Sequence, residues 1–535
     1  MKNIVFKSLF LGGLLCLIFS CTNLDEDPYL FDKVTGKEFG KTKLEINSAV
    51  AAAYSNLSGY ATGSPMQLNE VTTDEMVVPT RGPDWGDGGH WVRLKEHTYA
   101  ADDPAPEGGW NFCYSGITTC NRLIANLTEI DTDLSLSFLP EIKTLRAIYY
   151  YWLLDWYGNV PLSIDFADTE PPTNATRQEI YNFVESELLT NAPLLKKPTT
   201  IPDIATYGRV NFYTAQACLA KLYLNAEIYT GKAEWDNAIS ASNEIINSSI
   251  YELAPNYVDN FVETNQNSKE FIWAIPYDEV KFRGFGWPTM TLSQLSQATF
   301  NMSVKPNNGF ATTLDHYNSY IDPNQNPGPQ NTVVGLDPLG IPITGTDDKR
   351  MRANFLVGPQ FSSDGERLKD SGADADDPDG TPITFTPYIN ELEPSAWRQS
   401  GGRISKWQYY LGMTSNLNND FAVFRYADIL LIKAEAMARK NGDWNDASVL
   451  DIVNQIRTQH GGVAPFTSLT PITFLAERGR EMFAETWRRQ DMIRFGTYND
   501  SYLFHEKDPD NHVNIFPIPA TQLNANKNLE QNPGY

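Results

Sequence analysis

A chain of 535 residues with 41% hydrophobic and 20% charged side chains has a globular composition and is long enough for two or three average domains. Its net charge of −24 would repel a phosphate backbone, so no nucleic-acid partner is expected. Five cysteines do not suggest a disulfide scaffold, whereas 12 Trp and an aromatic content of 12% favour a ligand with flat faces.

In chain order, residues 1–20 read as a signal peptide. Lys2 and Lys7 supply its positive start, and the apolar run at 9–19 is too short to span a bilayer. Ser20 stands directly before Cys21, and Ile18-Phe19-Ser20-Cys21 resembles a lipobox, which makes Cys21 the expected lipidation site. Residues 21–40 then form a lipidated tether that carries the acidic run Asp25-Glu26-Asp27 before Pro28.

Helical patterning follows over 44–57, 110–127, 141–157 and 176–189. The third is expected to turn Leu145, Ile148, Tyr149, Trp152 and Trp156 to one face, and Gly158 and Pro161 stop it. Thr176 with Glu179 three residues on is a capping box. Cys113 and Cys120 lie seven residues apart on one predicted helix, a rise of about 10 Å. That separation is too great for a disulfide, so they and Cys218 are expected to be buried thiols.

Residues 212–249 read as a helical hairpin broken at Thr230-Gly231, with Trp235-Asp236-Asn237-Ala238 opening its second helix. The same grammar returns later, where Trp444-Asn445-Asp446-Ala447 follows a turn at Asn441-Gly442 and Asp443 is the expected N-cap. Between the two hairpins, 255–419 is rich in Pro, Gly and Asn with short β-like runs such as 271–275. The chain thus divides into a helical scaffold at 41–254, an irregular insert lobe at 255–419, and a second scaffold part with a C-terminal tail at 420–535. The acidic loop 374–380 lacks the final Glu of an EF-hand and is read as solvated, so no metal is expected.

No HExxH, GxSxG or Walker motif occurs. Glu477, Glu481 and Glu485 repeat at i, i+4 and i+8 on an expected helix, with Arg478, Arg480, Arg488 and Arg489 at hand as counter-charges. A column along a helix does not flank a sugar as a glycosidase's two carboxylates must, so ion pairing is expected and catalysis is not.

The loop 73–109 gathers Asp74, Arg81, Trp85, Trp91 and Tyr99 among many glycines, with Trp110 at its end. Rings in such a setting suit the C–H face of a sugar, and Asp and Arg suit its hydroxyls. A second candidate cluster is Tyr277, Arg283 and Trp287, and Trp397 and Trp407 rank below both.

Four blocks carry a resemblance: TLRAIYYYWLLDWYGNVPL at 144–162, RYADILLIKAEA from Arg425, ERGREMFAETWRRQDMIRFG from Glu477, and IFPIPATQLNANKNLEQNPGY ending at Tyr535. They resemble the SusD/RagB family of outer-membrane, nutrient-capturing lipoproteins, in the family's order and over nearly the whole chain. The resemblance implies a mostly α fold, a tetratricopeptide-like helical-repeat scaffold with an inserted irregular lobe of loops and short β-strands. It implies a non-enzymatic surface protein without cofactor, lipid-anchored in the outer membrane of a Gram-negative bacterium and facing outward. Such a protein binds an oligosaccharide or polysaccharide and passes it to a SusC-like TonB-dependent transporter. The ligand site it implies is Asp74, Arg81, Trp85 and Trp91. The rival readings are a surface glycoside hydrolase and a binder of a non-sugar nutrient such as peptide.

Overall fold

The capping box at Thr176 forms in full. Thr176 Oγ1 accepts from the Glu179 N–H, and the Glu179 carboxylate accepts from the Thr176 N–H at 2.8 Å, which starts the Arg177–Asn191 helix. This computed structural model describes residues 42–327, 333–336, 342–344, 348–370 and 382–535. The leader, Cys21, the acidic tether and the loop 374–380 lie outside the described residues. Two compact units are distinguished, Met1–Asn47 and Ser48–Tyr535, and the fold below is that of the second.

Helices dominate. Pro104–Ile130, Leu139–Trp156, Arg177–Asn191, Phe212–Leu224 and Trp235–Ile246 each pack on the next. Trp235–Ile246 then packs directly on Tyr426–Asn441, which packs on Ala447–Ile456. The intervening chain therefore leaves the helical stack and returns to the place it left. It returns through an antiparallel pair, Phe421–Arg425 on Phe271–Ile275, with Phe421 opposite Ile275 and Arg425 opposite Phe271. Every sheet among the described residues has two strands.

Several boundaries differ from the sequence reading. The first long helix begins at Pro104 rather than Trp110, so Gly108 and Gly109 are helical and not part of an exposed loop. A Cβ on Gly109 would crowd Leu68 and the Tyr157 hydroxyl, and one on Gly116 would overlap the Tyr149 ring. These glycines serve close packing. The Leu139–Trp156 helix is buried around its circumference, Tyr150, Tyr151 and Leu154 included, because neighbours lie on several sides. Asp446, not Asp443, caps the Ala447–Ile456 helix by accepting from the Ser448 N–H. Cys113, Cys120 and Cys218 are free and buried, as expected of small apolar thiols.

The glutamate column also has a different geometry. The Pro471–Met482 helix ends before Glu485, so only Glu477 and Glu481 share it. Of the arginines nearest in sequence, only Arg480 pairs with the column, reaching Glu477 at 2.7 Å. Arg478 instead pairs with Asp428 and Asp491, Arg488 with Asp74, and Arg489 with Asp155. Most counter-charges come from distant segments. Arg350 reaches Glu477 at 2.8 Å and Glu481 at 3.2 Å, and Arg457 reaches Glu477 at 3.2 Å. Arg425 reaches Glu481 at 2.8 Å, Glu485 at 2.8 Å and Glu270 at 2.9 Å, while His460 lies between Glu481 and Glu270. Glu270, Glu477, Glu481 and Glu485 and the arginines and histidine paired with them are all buried.

Removing one partner from such a cluster leaves its mates charged and dry. Glu481→Ala is expected to cost about 3–5 kcal/mol in denaturant unfolding, and a loss within the range of ordinary surface substitutions would show the cluster to be dispensable.

The cluster also sets a pH dependence. Burial alone would lower the His460 pKa, but Glu481 and Glu270 outweigh it and raise it to about 10. A raised folded-state pKa gives stability that is complete below the ordinary 6.5 and is lost as pH rises through about 10. His460→Gln should therefore shrink the alkaline fall in unfolding free energy across that window. An undiminished fall in the variant would assign it to other groups.

Candidate functional site

The Trp85 backbone stands in the left-handed region at φ 63°, where a bulky L-residue is strained unless its surroundings hold it. They do hold it. The indole N–H donates to the Asn307 carbonyl at 2.6 Å, 222 residues away, and the ring meets Trp91 and Phe310 edge-on at 5.5 and 5.4 Å. Gly309 lies beneath the indole, where any Cβ would overlap the ring. Trp91 is buried in the His90–Lys95 helix and donates its own N–H to Asp87, so it backs Trp85 rather than facing solvent. Trp85 is half-buried, leaving part of the indole at the surface.

Arg81 sits behind this surface. Only 2% exposed, it donates to the carbonyls of Asn308 at 2.7 Å, Gly309 at 2.5 Å, Ser400 at 2.7 Å and Trp397 at 3.4 Å. Arg403 donates to the Asn308 side chain at 2.7 Å and to the carbonyls of Arg398 and Ser400. Together the two guanidiniums join the loop under Trp85 to the loop carrying Trp397. Trp397 is half-buried and meets the half-buried Tyr388 at 6.0 Å. Asp84 accepts from the Gln294 amide at 2.8 Å and adds a partly exposed polar pair beside Trp85 in sequence.

Thus Arg81 holds the loops and does not turn its guanidinium outward. Asp74 grips Arg488 through both carboxylate oxygens, at 2.7 and 2.6 Å. Burial would raise its pKa, but Arg488 outweighs burial and the carboxyl lies below its ordinary value. The second sequence cluster does not form a surface. Tyr277 is buried with its hydroxyl at Ala61, Leu57 and Ser58, and its ring stacks on Phe285 at 5.1 Å. Trp287 is wholly buried and stacks on Trp407 at 5.4 Å. Arg283 alone of the three is exposed, and it donates to the Glu279 carbonyl. Tyr99 and Trp110 are buried too. Burial separated these residues, because large rings fill the core first. Tyr388 and Trp397 carry little signal in the sequence, since neither lies in a glycine-rich aromatic run.

Two family descriptions match the chain: the SusD family over residues 269–535 and "starch-binding associating with outer membrane" over 24–224. The chain belongs to the SusD/RagB family. It is 25% identical to the starch-binding protein SusD of Bacteroides thetaiotaomicron, covering 100% of both chains. It is 21% identical to the SusD-like protein P25 of Formosa agariphila, over 95% of each. In fold it is similar to surface glycan-binding protein A of Bacteroides thetaiotaomicron, solved in complex with laminarihexaose, with TM-score 0.69 and 21% identity over 92% of this chain and 99% of that one. It is similar as well to a SusD superfamily protein of Parabacteroides distasonis, with TM-score 0.68 and 22% identity over 91% and 99%. The family's mostly helical fold with small two-stranded sheets is the one described above.

Arg81→Lys keeps the charge but loses the planar fork that reaches several carbonyls at once. It is expected to destabilise by about 2 kcal/mol or more in denaturant unfolding, with a change in Trp85 emission as the 307–310 loop shifts. Parent-like stability and fluorescence would remove Arg81 from its holding role.

Proposed function

We propose that this protein is a surface lipoprotein that binds a glycan or oligosaccharide and delivers it to a SusC-like TonB-dependent transporter in the outer membrane. The observation that carries the reading is Trp85, strained, braced from both sides and left half-exposed on a loop surface. A ring held that way offers a rigid stacking face at little entropic cost, and nearby polar groups offer hydrogen bonds to hydroxyls. The proposed ligand surface is Trp85, backed by Trp91 and Phe310, with Tyr388 and Trp397 as candidates on the segment that Arg81 joins to it. Asp74 acts through Arg488 and Arg283 lies apart, while Tyr277 and Trp287 belong to the core.

Binding without cleavage fits the acids as well. Glu477, Glu481 and Glu485 are buried among arginines, a lysine and a histidine, where they cannot reach a sugar. The names of the relatives, starch-binding and laminarihexaose-bound, point to polymeric glucans as the first ligands to try. Cys21 is the proposed point of acylation. No helix among the described residues is long and apolar enough to cross a membrane.

The test is calorimetric titration of starch and laminarin oligosaccharides into the parent, Trp85→Ala and Trp287→Phe. Loss of the Trp85 ring should weaken binding by about 1–3 kcal/mol, roughly ten- to a hundredfold, while Trp287→Phe binds as the parent does. Equal binding by Trp85→Ala would remove this surface from the site, and release of shorter sugars by the purified parent would favour the hydrolase reading. Gentle detergent extraction should recover the protein with a larger outer-membrane partner, and Cys21→Ala should abolish acyl labelling.

A further inference from the structure

A buried cluster below the aromatic loop has a different chemistry. His97 follows the His90–Lys95 helix that carries Trp91, while His505 and Asp508 lie in the C-terminal segment. One potential ligand atom from each lies within 4.8 Å of the other two. Both imidazoles have wholly buried side chains, and that of Asp508 is 6% exposed.

The hydrogen bonding leaves this cluster short of a positive centre. His97 Nε2 lies 2.8 Å from the Thr72 carbonyl, which can only accept, so Nε2 carries the hydrogen. The neutral ring then turns its bare Nδ1 toward an Asp508 carboxylate oxygen at 2.8 Å, acceptor against acceptor. His505 Nε2 lies 3.4 Å from that same oxygen, at the limit of a hydrogen bond, and its Nδ1 has no hydrogen-bond partner. A proton between His97 and Asp508 would relieve the first contact but leave the buried His505 held only by its long contact to Asp508, which is costly. A single cation shared by all three would satisfy the facing His97 Nδ1, the Asp508 oxygen and the His505 Nε2 together, leaving only the His505 Nδ1–H without a partner.

We propose that His97, His505 and Asp508 bind one divalent transition-metal ion, with zinc as the best match. Two imidazoles and one carboxylate are a zinc-type donor set. Ligand atoms about 2.0–2.1 Å from a tetrahedral zinc stand roughly 3.3 Å apart, and the two separations to the Asp508 oxygen, 2.8 and 3.4 Å, bracket that value.

The outer contacts fit as well. A metal-bound histidine ordinarily donates its other N–H to a backbone carbonyl, as His97 does to Thr72. The Asn499 amide donates to the Asp508 carboxylate at 3.2 Å, and the Tyr502 hydroxyl donates to the Thr72 carbonyl at 2.8 Å. His97 is itself held at φ 56°, a strained conformation of the kind that surrounds ligand clamps. The ion would clasp the chain just after the Trp91 helix to the C-terminal segment, 411 residues away. This site is independent of the glycan reading.

The experiment uses the untagged full-length protein in detergent, stripped with chelator and titrated with Zn2+ by calorimetry, with metal content measured after gel filtration. The parent should take up one equivalent and unfold several degrees higher with zinc, and Co2+ should give visible ligand-field bands. His505→Gln should lose the uptake, the zinc-dependent shift and the bands. Asn499→Ala should bind about ten- to a hundredfold more weakly. His512→Ala, which alters an exposed histidine paired with Asp510, should match the parent. A folded parent that takes up no zinc would overturn the proposal, as would a His505→Gln variant that retains it or a His512→Ala variant that loses it. If His505→Gln fails to fold, Asn499→Ala decides by the same titration.

Discussion

The constraint on which the structure depends is the buried charge cluster around Arg425 and Glu481. Arg425 is the last residue of the strand that brings the insert back to the helices, and Glu270 stands just before the strand it pairs with. Glu481 and Glu485 come from the C-terminal region, Arg350 from the middle of the insert, and His460 from the end of the second hairpin. Buried charges are stable only when each has its partners, so all of these segments must be in place together. Apolar residues of similar size could fill the same space, but they would not require these particular segments to meet.

The same logic operates closer to the surface. Arg81 and Arg403 satisfy loop carbonyls that regular secondary structure would otherwise pair, which lets loops without sheet partners hold a fixed shape. On that frame a strained tryptophan can remain half-exposed. The energy that would relax Trp85 is opposed by its hydrogen bond to Asn307, by two edge-on rings, and by an arginine fixing the backbone on which it rests. Rigidity at the surface is thus inherited from buried cations, and the acidic net charge of the chain coexists with an interior rich in arginine.

A physical distinction runs through the aromatic residues. Trp152, Trp156, Trp273, Trp287 and Trp407 are almost fully buried, and several stack nearly parallel. Their abundance in the sequence therefore reflects the core more than a ligand surface. What separates a ligand-facing ring from a core ring here is its backbone conformation and what lies beneath it, not its residue type.

The sequence by itself determined the elements whose causes are local. The Thr176–Glu179 cap, the turns that end at Gly231 and Gly442, the two hairpins and the reduced thiols depend on neighbours a few residues away, and period and spacing expose them. The family was legible for a related reason, since its blocks are contiguous runs. Only the tertiary structure decided which charges pair, which tryptophans are buried and which loops Arg81 joins. Glu481 meets Arg425, Trp85 meets Asn307 and His97 meets Asp508 across 56, 222 and 411 residues, and no local pattern encodes such meetings. The aromatic loop was found from sequence because glycine and tryptophan mark it, but the roles within it were not. Whether an arginine faces a ligand or a carbonyl is set by what the rest of the chain places in front of it.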